Sequence, residues 1–275
     1  MVPHKNRSKP PRKNATSPIL FLDTNGIHYL RLSASLLKEQ DGTIIDMDIN
    51  RFNDIVKNAD IQKPSAGHYE NGFYIGNYLA RRVREDEARI QYAPVSGFEL
   101  LCGCLRGGAI VNAASGGAPG RWYGRLDEAE LLHYLGPDDF EKHYSGCLNM
   151  PELFQGQLGF NIQEANVRDL ARAFDLSKSI LEATLLELGD CLVYASAMLA
   201  RAEAIITCDG HLANVIRWVH NPGCAPPEFG QQFKRANRII QERLETILEV
   251  PQLGASLPKV LKIKDIKNEP AGGTH

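Results

Sequence analysis

The stretch LGDCLVYASAMLARAEAIITCD, residues 188–209, decides the fold. Its first half opens on Asp190 and runs through small and apolar residues, with Ala195, Ser196, Ala197 and Ala200 leaving room for a helix to lie close against a sheet. Its second half, Ala204-Ile205-Ile206-Thr207, is a short continuous apolar run, the pattern of a strand buried on both faces. That strand stops at Cys208-Asp209-Gly210, a turn signal. Working outward, SPILFLD (17–23) has the same character: a buried strand that ends in an acid. A helix follows from about Asn25 to Lys38, with Ile27, Leu30, Leu36 and Leu37 as its apolar positions, and Asp41-Gly42 breaks it. Strands of this kind alternating with helices point to a layered α/β fold with a mainly parallel central sheet.

Composition agrees. The chain has 275 residues, 43% hydrophobic, 8% aromatic and 23% charged, which is enough apolar content to bury a core and excludes disorder throughout. No stretch approaches the ~18 consecutive apolar residues of a membrane span, so no membrane association is expected. The net charge is −2, but Lys5, Arg7, Lys9, Arg12 and Lys13 fall in residues 1–18 with no acid, so the rest of the chain carries −7. Residues 1–17 read as a flexible, proline-broken basic arm, either solubilising or adding salt-sensitive phosphate contacts. No apolar segment follows those charges, which argues against a secretory signal. The six cysteines are scattered, and the close pair Cys102 and Cys104 lacks a second pair to complete a zinc cage. Reduced core thiols in a cytoplasmic protein are the expectation.

The remaining segments are read more coarsely. Residues 40–93 mix a helix near 50–58 with an aromatic and arginine-rich segment containing Tyr69, Phe73, Tyr74, Tyr78, Arg81, Arg82 and Arg84. A helix runs from Ser96 through Leu105, and the glycine-rich residues 103–124 read as a loop or lid. From 126 to about 188 the pattern is helical, broken at Gly136-Pro137 and Met150-Pro151. A long amphipathic helix covers about 230–244, TILEVP (246–251) reads as a last strand, and the residues beyond 253 read as a loose tail.

Four acids carry whatever chemistry there is. Asp23 and Asp209 end strands, where open α/β folds place their sites, and Glu99 and Asp190 sit at helix starts. A nest of carboxylates drawn together there needs a cation, and oxygen donors without histidine or thiol favour Mg²⁺ or Mn²⁺. Each acid also has a plain structural reading. Asp23 caps the helix it precedes, Ser96 and Glu99 match a capping box, Asp190 follows Gly189 as an N-cap, and Asp209-Gly210 is a turn pair.

Three segments together, ILFLDTN (19–25), SGFELL (96–101) and the 188–209 block, resemble the PIN-domain nucleases. That family joins a strand ending in Asp-Thr/Ser-Asn/Ser, a helical Glu preceded by Ser or Thr, an Asp opening an alanine-rich helix, and a strand-Thr-x-Asp. The resemblance implies a Rossmann-like three-layer α/β/α sandwich, with Asp23, Glu99, Asp190 and Asp209 as catalytic acids and Mg²⁺ or Mn²⁺ ligands. Thr24, Asn25 and Thr207 fall where the family orients its metal ligands or waters. The implied activity is hydrolysis of phosphodiester bonds, foremost in RNA as an endoribonuclease, and less often in DNA. An inhibitory protein partner and a homodimer belong to the same set of expectations. Glu99 lies 76 residues after Asp23, and Asp190 lies 91 after Glu99. The PIN-like domain, 18–252, is therefore expected to hold insertions at about 40–93 and 103–160. Arg81, Arg82, Arg121 and Trp122 in those insertions are candidates to hold phosphates and stack bases.

Other readings fit less well. A phosphatase of the Asp-x-Asp kind needs an acid where Asn25 stands, and a serine hydrolase needs a Gly-x-Ser-x-Gly elbow that is absent. The rival of a different class is a PIN-like module that binds RNA or protein without cutting, its acids serving as caps and turns.

Overall fold

A computed structural model describes residues 17–45, 47–59, 61, 63–117, 130, 133–166, 170–249 and 257–268. The basic arm through residue 16, and Arg121 and Trp122, lie outside the described residues.

The strand predicted at the start is β1 (Ile19–Leu22), and Leu20, Phe21 and Leu22 are fully buried. Helix α1 (Thr24–Glu39) follows within a residue of the boundaries read from the apolar spacing. The Asp23 carboxylate accepts the Gly26 N–H and so caps α1. After α2 (Ile49–Asn58) comes α3 (Lys63–Asp86), which leads into β2 (Arg89–Tyr92). Next are α4 (Pro94–Ser115), α5 (Pro137–Leu148), α6 (Met150–Leu158) and the short β3 (Ile162–Glu164). The decisive stretch then appears as α8 (Leu188–Leu199), preceded by α7 (Leu170–Ala183) and followed by β4 (Ala204–Thr207). Helices α9 (Gly210–His220) and α10 (Gly230–Leu248), strand β5 (Lys259–Lys262) and the short α11 (Ile263–Lys267) complete the order.

The sheet has five strands in the order β3-β2-β1-β4-β5, and every pairing is parallel. From β1 the chain builds two strands to one side, then crosses back and builds two on the other. The direction of winding therefore reverses between β1 and β4, and their carboxyl ends open a crevice at that point. Side-chain alternation splits the core in two. Leu20, Leu22, Ile90 and Ile206 pack with Ile27, Leu30, Phe73 and Phe154 of α1, α3 and α6. Phe21 and Ile205 pack on the other face with Tyr194, Ile180, Leu212 and Phe233 of α7 to α10. Each such aliphatic or aromatic side chain contributes ~1.5–3 kcal/mol by leaving water. Helices on both faces of a parallel sheet make a three-layer α/β/α arrangement. Helix α8 is buried from Cys191 through Met198 because it is enclosed by β2, β4, α4, α7 and α10, which explains its lack of a polar face.

Five sequence expectations are corrected. β2 lies inside the stretch read as the first insertion and is the neighbour of β1, while β3 interrupts the region read as helical throughout. Both are short and carry polar residues, so neither shows a continuous apolar run. Residues 103–115 are not a loop but the second half of α4, because their glycines alternate with Leu105, Ala109 and Ala113 at helical spacing on the buried side. Residues 246–248 finish α10 instead of starting a strand, and part of the expected loose tail forms β5, paired with β4 from Ala204↔Lys259 to Thr207↔Lys262. Helix α4 is also 22 residues long, long and apolar enough to cross a membrane by length and composition alone. Here it packs against α1, α5 and α8.

The tightest helix contact is between α1 and α3. A Cβ added to Gly72 would sit 2.0 Å from the Tyr29 carbonyl oxygen, while the Ser33 hydroxyl donates to the Tyr69 carbonyl at 2.6 Å. Gly72→Ala is expected to destabilise the protein by about 2–4 kcal/mol through backbone displacement. Gly67, on the same helix with nothing within 4 Å, is expected to gain about 0.5–1 kcal/mol as alanine. Urea unfolding at neutral pH measures both.

Candidate active site

The four acids meet at the carboxyl ends of β1 and β4. Asp23 comes from the end of β1, with its N–H bonded to the Ile206 carbonyl of β4 at 3.2 Å. Its side chain is only 3% exposed. One carboxylate oxygen takes the Gly26 N–H at 2.5 Å, and the other accepts the Thr207 hydroxyl. Thr207, fully buried at the end of β4, in turn accepts the Asp209 N–H at 2.8 Å. A single threonine therefore ties the two strand-end acids together. Asp209 caps α9, accepting from the N–H groups of His211 at 2.6 Å and Leu212 at 3.1 Å.

The other two acids arrive on helices. Glu99, on the exposed side of the second turn of α4, accepts the Thr24 hydroxyl from the first residue of α1. A Cβ added to Gly189 would lie 2.5 Å from Glu99 Oε1, so the glycine leaves room for the Glu99 carboxylate against the start of α8. Asp190, the next residue, is half-buried and feels the charges of Asp209, Glu187 and Glu99.

Electrostatics follow from this crowding. Burial, reinforced by Asp190 and Asp209, pushes the Asp23 carboxyl up to about 7 against the bonds from Thr207 and Gly26. Burial, then Asp209, Glu187 and Glu99, push Asp190 up to about 6. Among the described residues, no lysine or arginine forms an ion pair with any of the four acids. The donor set, all carboxylate and hydroxyl oxygen with unbalanced charge, fits a hard divalent cation. Among the described residues no three of His, Cys, Asp or Glu form a preassembled metal-holding group.

Asp23 does cap α1, whereas Asp209, read as half of a turn pair, caps α9. Asp190 is not the N-cap of α8, since Glu187 occupies that position. Ser96 and Glu99 form no capping box, because α4 starts after Ala93; the Ser96 hydroxyl is buried without a partner and Glu99 turns to Thr24. Asn25 is exposed on the first turn of α1.

The arginines of α3 lie elsewhere. Arg82 bonds Tyr78 at 2.8 Å, Asp86 at 2.6 Å and Glu203 at 3.2 Å. Glu203 precedes β4, so this clasp closes the amino end of the sheet, opposite the acids. Arg81 lies over the Tyr78 ring at 5.7 Å and lines an open groove of about 610 Å³ with Arg84 and Lys267. Sequence reasoning missed Gly26, Gly189 and Glu187, and it noted His211 beside Asp209 without choosing it. The two glycines were visible as small residues beside acids, but only the fold shows what they face. His211 Nε2 donates to the Leu185 carbonyl at 3.0 Å, and the ring stands near enough to Asp190 to oppose its upward shift.

Comparison with family models, curated proteins and solved structures finds no match to this chain.

A carboxyl raised in the folded state keeps its proton after the unfolded chain has lost it. Its presence therefore lowers stability as pH rises from the ordinary value of 3.8 to about 6 for Asp190. Asp190→Asn is expected to match the wild type near pH 4 and to exceed it at pH 7–8 by roughly 1 kcal/mol, after discounting for solvent screening. Metal-free thermal unfolding across this range measures the difference; a loss of stability at pH 8 would mean the carboxylate serves the fold.

Proposed function

We propose that the chain is a divalent-metal-dependent nuclease of PIN-like, Rossmann-like architecture, acting foremost on RNA as an endoribonuclease. One observation carries the reading: two strand-end acids and two helix-borne acids share the crevice where the strand order reverses, with no basic side chain among the described residues pairing with them. The motif resemblance supports RNA over DNA, which stands as the second substrate class.

Asp23, Asp190 and Asp209 would hold Mg²⁺ or Mn²⁺, with Glu99 holding the ion or its water. When bound, the ion supplies activation of water and stabilisation of the charge that builds on the departing oxygen. The chain's own work is positioning. Thr207 fixes the outer oxygen of Asp23 and the backbone of Asp209, and Thr24 fixes Glu99. At neutral pH Asp23 and Asp190 titrate in the physiological range, so cation binding expels protons and tightens as pH rises. The body's charge of −7 means that substrate phosphates are held by the ion, by local basic groups and by the arm. Cytoplasmic location, an inhibitory protein partner and a homodimer remain part of this proposal.

The second reading is a binding module without catalysis, favoured by the caps that Asp23 and Asp209 make. Cleavage of labelled single-stranded RNA and matched DNA in Mn²⁺, Mg²⁺ or EDTA separates the two. Metal-dependent cutting, lost in Asp190→Asn and reduced about 10–100-fold in Thr207→Val, is the expected result. Absence of cutting on every substrate would leave the module.

A further inference from the structure

Away from the acids, α4 and α5 lie antiparallel with a regular register. Cys147 Sγ donates to Cys104 Sγ at 4.0 Å. Four residues further along α4, a Cβ added to Gly108 would sit 2.1 Å from His143 Nε2, four residues back along α5. Four further again, Asn112 Nδ2 donates to Asp139 Oδ2 at 2.8 Å, once more four residues back. Three successive rungs face each other, and in the middle one the His143 ring lies against Gly108 in the space a side chain there would occupy. The two sulfurs, 4.0 Å apart, have only about 2 Å to close to reach disulfide bonding distance.

A third element completes the place. Arg31 of α1 has a buried Nε with no hydrogen-bond partner, and its guanidinium acts on both thiols. The hydrogen bond from Cys147, aided by Arg31, draws the Cys104 thiol below its ordinary range despite burial. Cys104 is buried, and Cys147 is half-buried and opens the pair to solvent.

We propose that Cys104 and Cys147 form a hydroperoxide-oxidised dithiol site that reversibly staples α4 to α5. The Cys104 thiolate attacks one peroxide oxygen; the O–O bond breaks, hydroxide leaves, and Cys104 becomes a sulfenic acid. The Cys147 sulfur then attacks the Cys104 sulfur, the S–O bond breaks, and the departing hydroxyl takes the Cys147 proton and leaves as water. Two electrons pass from the two sulfurs to the peroxide, and a dithiol reductant restores the pair. Because α4 carries Glu99, the staple fixes the helix that delivers one acid of the candidate site, but the chemistry stands without the nuclease reading.

The full-length chain, treated with graded hydrogen peroxide and then digested without reduction, tests this by mass spectrometry. The expected product is a 104–147 crosslinked peptide that forms before the exposed Cys224 is consumed and disappears with dithiothreitol. Cys147→Ser should trap Cys104 as a sulfenic acid that dimedone labels, and Arg31→Gln should slow crosslinking several-fold. Cys104 and Cys147 staying reduced while Cys224 oxidises, or pairing with other cysteines, would overturn the proposal.

Discussion

The hydroxyl of Thr207 donating to the buried carboxylate of Asp23 is the interaction on which the rest of this site depends. It joins the ends of β1 and β4 at the point where the strand order reverses, and it holds an acid in a place that opposes ionisation. Without a partner of this kind, a carboxyl at 3% exposure would be among the most unfavourable groups in the molecule. The same oxygen of Thr207 receives the Asp209 amide, so β4 delivers its own acid in register with that of β1. Parallel pairing of Leu22 with Ile206 sets this register, and the apolar faces of both strands enforce it.

Around that link, the fold accepts a local conflict. Four carboxylates face one crevice, two of them raised toward neutrality, and the glycines at 26 and 189 leave room for the carboxylates of Asp23 and Glu99. A protein selected for stability alone would place apolar or basic groups here. Local departures of this kind from the rules that otherwise govern the chain are a recognised mark of functional positions. Helix caps explain why Asp23 and Asp209 are acidic, but they do not explain Asp190, which caps nothing, or Glu99, which reaches across to Thr24.

Much of this was legible in residues 17–39 and 188–209, because buried strands and a close-packed helix leave unmistakable apolar patterns. β1, α1, α8 and β4 follow those patterns closely. β2 and β3 did not stand out: Arg89-Ile90-Gln91-Tyr92 and Ile162-Gln163-Glu164 are held by backbone pairing to their neighbours more than by side-chain burial. β5 was hidden for the same reason, since an edge strand with a lysine at each end looks like a tail. The glycines of α4 suggested a loop, yet Gly108 makes room for the His143 ring of the neighbouring helix. Of the candidate site, the acids were readable and their mutual geometry was not. Arg82 shows the limit, since an arginine read as a phosphate holder is committed to Glu203 and Asp86 at the other end of the sheet.

The central claim is that the acids form one cation site and not four separate caps and turns. Calorimetric titration of Mn²⁺ into the wild type and into Asp190→Asn at pH 8 tests it most directly. The account predicts saturable binding with proton release in the wild type and its loss in the variant. No binding to the wild type, or equal binding to both, would contradict it.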